Sequence, residues 1–82
     1  MIQPPTLKDN QFAVLICDGA TGHVLNITGN VYQSDDENVF FIFEDLDSAK
    51  LFAEQKQVED DTLELIIYNH HNKPVIIYDS LK

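Results

Sequence analysis

Apolar residues occur along this chain in short blocks, separated by polar breaks rich in Asn, Asp and Gly. FAVLIC (12–17) and VLNIT (24–28) flank a break holding Asp18-Gly19 and Gly22, the pattern of a β-hairpin with a loop of four or five residues. Gly29-Asn30 interrupts the second strand as a bulge or bend, with Val31-Tyr32 continuing beyond it. After the loop SDDEN (34–38), VFFIF (39–43) is aromatic and β-branched with no breaker. Its two apolar faces predict a central strand. LELIIY (63–68) and VIIY (75–78) are two further strands, joined through NHHNKP.

Only residues 46–57 follow a helical period. At about 100° per residue, Leu46, Ala49, Phe52 and Ala53 fall on one face, while Leu51 points elsewhere. Asp45 stands where an N-cap side chain would accept from the first free amides, and Asp45 and Asp47 both suit the positive end of the macrodipole. The apolar face is narrow and rich in small residues, so this helix can lie close on a sheet. The predicted order is β-β-β-α-β-β, a single small α+β domain over residues 11–82 with one helix packed on a mostly antiparallel sheet. Residues 1–10, with Pro4-Pro5, read as an extended N-terminal tail. A helical connection can also set VFFIF and LELIIY parallel by a right-handed crossover. The pattern leaves that choice open.

Alternation sorts each strand into two sets, and both sets are apolar. One helix of about three turns covers one face of a small sheet and leaves the other. The uncovered set is expected to include Phe40, Ile42, Ile66, Tyr68, Ile76 and Tyr78, with the parity of each strand left open. A patch of that extent marks an interaction site. Tyrosine suits such a surface, combining apolar area with a polar tip. Either a partner covers the face, a second copy in a homodimer being the simplest, or the tail and the first hairpin fold over it.

An 82-residue chain buries about 60–65% of its unfolded surface, enough for one thin core. The hydrophobic fraction of 44% is that of a folded domain. Fourteen acids against five lysines, with no arginine, give a net charge of −9. That balance argues against nucleic acid, whose phosphates call for Lys and Arg, and against anionic membrane surfaces. It favours a basic protein. Acids cluster at Asp35, Asp36 and Glu37, at Glu44, Asp45 and Asp47, and at Glu59, Asp60 and Asp61. None has the spacing of a calcium loop. Together they form an acidic surface that could steer a basic partner, as an inhibitor or immunity-type protein would.

Cys17 lies in an apolar run, reads as a small core residue, and has no second cysteine to pair with, which points to a reducing, cytoplasmic setting. MIQPPTLKDNQ has neither the basic nor the apolar region of a secretory signal. No apolar run approaches the ~18 residues of a membrane span. His70 and His71 are adjacent and would diverge in a strand. Asn69, Asn72, Lys73 and Pro74 make them the tip of a hairpin. A zinc site would need His23 to join them from the first hairpin. Ser34, Ser48 and Ser80 have no local base, Asp18 and His23 lack a nucleophile, and DGATG (18–22) is not a phosphate loop. Asn26-Ile27-Thr28 fits the N-glycosylation pattern but falls in a predicted strand. The expected function is therefore non-enzymatic protein interaction without a cofactor. An acidic inhibitor of a basic partner is the first alternative, and a metal-dependent activity of His23, His70 and His71 the second.

Overall fold

The fold is given by a computed structural model, which describes residues 5–27, 29 and 39–81. Among the described residues, five strands and one helix follow in the order β1 (Phe12–Asp18), β2 (Val24–Leu25), β3 (Phe40–Phe43), α1 (Leu46–Glu59), β4 (Leu63–Tyr68) and β5 (Pro74–Tyr78). This is the predicted α+β arrangement of one helix on an antiparallel sheet. β1 is the central strand: β4 pairs along one side of it, and β3 and β2 share the other, β3 along its first half and β2 along its second. β5 lies beyond β4, and every pairing is antiparallel.

Two expectations change here. VFFIF is not central; β3 pairs only with β1 among the described residues. It is apolar on both sides because both faces of the sheet are apolar, not because strands flank it. β3 and β4 do run in the same direction, but as the outer neighbours of β1 rather than of each other. The helix between them carries the chain past β1. The first hairpin is part of this sheet, so it is not a second layer folded over it.

The second strand is also shorter than its apolar run. Pairing stops at Leu25, and the Gly29 amide donates to the Asn26 carbonyl at 2.9 Å, with Gly29 at φ +90°. Asn and Gly turn chemistry overrides the β propensity of Ile27. Val31 and Tyr32 lie outside the described residues.

Asp45 caps α1 as predicted, its Oδ1 accepting from the Ser48 amide at 2.6 Å. Ala49 and Ala53 are completely buried, and their small side chains let the helix settle on Val14, Ile16, Leu63, Leu65 and Ile67. Phe52 meets the rings of Phe41 and Phe43 at centroid distances of 4.7 and 5.1 Å. Burying Leu65 and Ile67 contributes about 1.5–3 kcal/mol each.

The ends of the sheet are tied by polar contacts. Residues 8–11 form a turn rather than an extended lead-in, the Gln11 amide donating to the Lys8 carbonyl at 2.9 Å. Gln11 Nε2 and Asn10 Nδ2 then reach Glu44 beyond β3. At the opposite end, Gly19 N donates to the Thr62 carbonyl at 2.8 Å and Leu81 N to the Asp61 carbonyl at 2.9 Å.

Candidate docking face

The cross-strand register sorts side chains between the two sides of the sheet. On the helix side stand Val14, Ile16, Phe41, Leu65 and Ile67. On the other side, partners line up in rows across four strands. One row runs Phe40, Leu15, Ile66, Ile77, and the next Ile42, Ala13, Tyr68, Pro74. A third begins Val24, Cys17, Glu64. Neighbouring strands lie about 4.8 Å apart, so each four-residue row spans about 14 Å. Neither carries a charge.

Exposure along the rows is greatest on the outer strands. Ile42 is 49% exposed and Ile77 58%, while Ala13 and Leu15 on the central strand are buried. Ala13 is small enough for Phe40 and Tyr68 to meet across β1, edge to face, with ring centroids 6.2 Å apart. The Tyr68 hydroxyl holds its proton above the ordinary phenol range, first because burial disfavours the phenolate and then through Cys17. The Cys17 thiol is likewise pushed up, by burial first and by Glu64 beside it second, so the thiolate is suppressed. Cys17 is half-buried on this face rather than a helix-side core residue.

Phe40, Ile42, Ile66 and Tyr68 thus stand on the side predicted for them. Ile76 and Tyr78 do not: both pack against the helix-side core, and the Tyr78 hydroxyl donates to Glu54 Oε2 at 3.2 Å. The hairpin register is the cause. Ile66 pairs with Ile77 and Ile67 with Ile76, and a register shift follows between Ile67 and Tyr68. A one-residue offset exchanges the faces of a strand, and here it brings Ile77 out in place of Ile76. That register is set in the loop. Asn69 Oδ1 accepts from the amides of His71 and Lys73, and Asn72 adopts a left-handed φ of +59°.

The histidines divide as the hairpins do. His70 and His71 sit at the β4–β5 tip with rings 4.0 Å apart, His70 Nε2 lying 4.0 Å from Asp9. His23 follows the first loop, where its carbonyl accepts from the Asp18 amide. The length of β1 separates the two places, about 20 Å of strand. The structure does not bring the three together. Of the acidic residues, Asp35, Asp36 and Glu37 lie outside the described residues. Glu59 ends α1 and pairs with Lys56 at 3.6 Å; Asp60 caps the helix and accepts from Thr62.

Composition hides Gln57 and Ala13 as core residues, the first because it is polar and the second because it is small. Gln57 is buried on the helix face one turn beyond Ala53, and the spacing 49, 53, 57 does place it there. A shallow hollow of about 160 Å³ opens beside the helix, lined by Ile16, Leu25, Phe41 and Leu63 with the polar Asn26 and Lys56. No helix among the described residues is long and apolar enough to cross a membrane. Comparison with protein-family models, curated proteins and solved structures finds no match to this chain.

Proposed function

We propose that this domain is a non-enzymatic protein-interaction module that docks its partner on the sheet face opposite α1. The observation that carries this reading is the pair of uncharged apolar rows, ending in the exposed Ile42 and Ile77. Interface cores are depleted in charge and enriched in aromatic residues, as these rows are. A photocrosslinking residue placed at Ile42 or Ile77 should capture protein, while the same residue at Val58, 86% exposed on the helix, should not. Equal yields from the face and the helix would refute the reading.

The charge of −9 without arginine supports a second reading, an acidic inhibitor that holds a basic protein at its acidic turns. Complexes formed that way weaken as salt rises.

A further inference from the structure

We propose that the outer edge of β5 binds an extended, basic segment of another protein, added to the sheet as one more strand beside Ile77. This contact is separate from the sheet face opposite α1 and does not depend on it. The hydrogen-bond phase of the sheet leads to Ile77. In an antiparallel sheet, successive residues of a strand turn their N–H and C=O toward opposite neighbours. The Asp18 amide donates to the His23 carbonyl, so Asp18, Ile16 and Val14 turn toward β2 and β3. Ala13, Leu15 and Cys17 therefore turn toward β4. Leu15 stands opposite Ile66, whose backbone groups are thereby used by β1. Leu65 and Ile67 turn the other way and meet β5 at Tyr78 and Ile76. The loop keeps the same phase, the Asn69 amide donating to the Lys73 carbonyl at 3.0 Å. Ile77, between Ile76 and Tyr78, thus points its N–H and C=O away from the sheet. Among the described residues nothing takes them up: β5 pairs only with β4, and its one further hydrogen bond is that of the Tyr78 hydroxyl to Glu54.

The chemistry of this edge selects its occupant. A donor and an acceptor on one residue, in the plane of the sheet, are matched by the backbone of an extended strand. A helix has spent its own backbone groups internally. Protein sheets commonly guard an exposed edge with charge. β5 has no such guard: PVIIY (74–78) holds no charged side chain, and Val75 and Ile77 are 44% and 58% exposed. Pro74 and the register shift at Ile67/Tyr68 blunt only the loop end, which centres strand addition on Ile77. Charge then sets the polarity of the occupant. Tyr78 is bonded to Glu54, Asp79 follows, and the chain carries −9 overall, so a basic segment is attracted and a second copy of this chain is repelled. Lys73 stands at the other end of the strand and directs the basic residues of the occupant toward Asp79.

The test is amide hydrogen exchange of the full chain, read residue by residue by nuclear magnetic resonance. The probe is a short synthetic peptide of alternating lysine and valine, added to about 1 mM. Its control has proline in place of alternate valines, equal in charge but unable to pair along a strand. In the free chain the Ile77 amide should exchange at least about tenfold faster than those of Ile76 and Tyr78. The probe should slow it by about tenfold and the control should not, and the effect should shrink between about 50 and 500 mM salt. Ile77→Pro removes the outward donor without touching the pairing to β4. It should keep the far-ultraviolet circular dichroism and lower probe affinity by about tenfold. If that variant fails to fold, the exchange rate of the Ile77 amide in the unaltered chain decides in its place. An Ile77 amide already protected in the free chain, no response to the probe, or an equal response to probe and control overturns the proposal. Protection that rises with protein concentration alone also overturns it, by making a second copy the occupant. Crosslinking from Ile42, on β3 across the sheet, reports on the face alone, so the two readings fail separately.

Discussion

Gln57 is the place where this small domain should be most sensitive to a single atom. It is 7% exposed, and its Nε2 donates to the Leu63 carbonyl at 3.2 Å and to the Asp79 carbonyl at 2.7 Å. Both partners are acceptors only, so the amide's amino end must face them. One side chain thereby joins the end of α1 to the start of β4 and to the segment after β5. Gln57→Leu keeps roughly the volume but leaves two carbonyls without their donor. At about 1 kcal/mol or more for each, the expected loss is about 2 kcal/mol. Gln57→Glu is worse at neutral pH, because it sets a carboxylate against two carbonyl oxygens in a dry site. The expected loss is about 4 kcal/mol. A domain of this length has roughly 4–12 kcal/mol in total, so that variant should be marginal.

The pH dependence carries the sign of the argument. Burial among acceptors raises the folded pKa of the new carboxyl above its unfolded value of about 4.3. The protonated variant therefore keeps its stability below that unfolded value and loses it as pH rises through the folded pKa, by up to about 1.4 kcal/mol per pH unit between the two. Urea unfolding of wild type and Gln57→Glu at matched protein concentration, from pH 7 down to about 4.5, should show the gap between them narrowing. Matched concentration matters because association would add to apparent stability. A gap that is constant with pH, or below about 0.5 kcal/mol at pH 7, would refute the reading of Gln57 as a buried donor pair.

Two glycine variants and one cap test the frame around it. A Cβ on Gly19 would fall on the Thr62 carbonyl oxygen and 2.7 Å from Ser80 Cβ, whereas one on Gly22 meets nothing, though its φ is +78°. In thermal melts Gly19→Ala should cost about 2 kcal/mol or more, and Gly22→Ala about 1 kcal/mol, from the left-handed backbone alone; the reverse order would discredit the close approach at Gly19. Hydrogen bonds from Ser48 hold the Asp45 carboxyl below the ordinary aspartate range, so its stabilising effect is present above about pH 4 and is lost as pH falls through the depressed value. Asp45→Ala should therefore destabilise at pH 6, and its gap to wild type should narrow as pH falls through the depressed value, in unfolding curves taken across that range.

Each element of this fold was legible where a local rule acts alone. The Asp45 cap, the small-residue helix face at Ala49 and Ala53, and the Asn69 and Asn72 turn all follow from neighbours within one turn of chain. The existence of a second apolar face followed as well, since strands three to five alternate between two apolar sets and one helix covers only one of them. Pairing and parity did not follow. FAVLIC and VFFIF are equally apolar, and only contacts between residues far apart in sequence make β1 central and β3 an outer strand. The membership of the sheet face opposite α1 turned on one residue of register in the last hairpin, which exchanged Ile76 and Tyr78 for Ile77. Gln57 is the same lesson at atomic scale. Its spacing places it on the buried face, but the two carbonyls that justify a polar residue there come from distant segments, brought together only when the chain has folded. Composition and periodicity therefore determined which residues are apolar and which elements form. Long-range pairing decided which side of the sheet each one faces, because a strand has two sides and a shift of one residue selects between them.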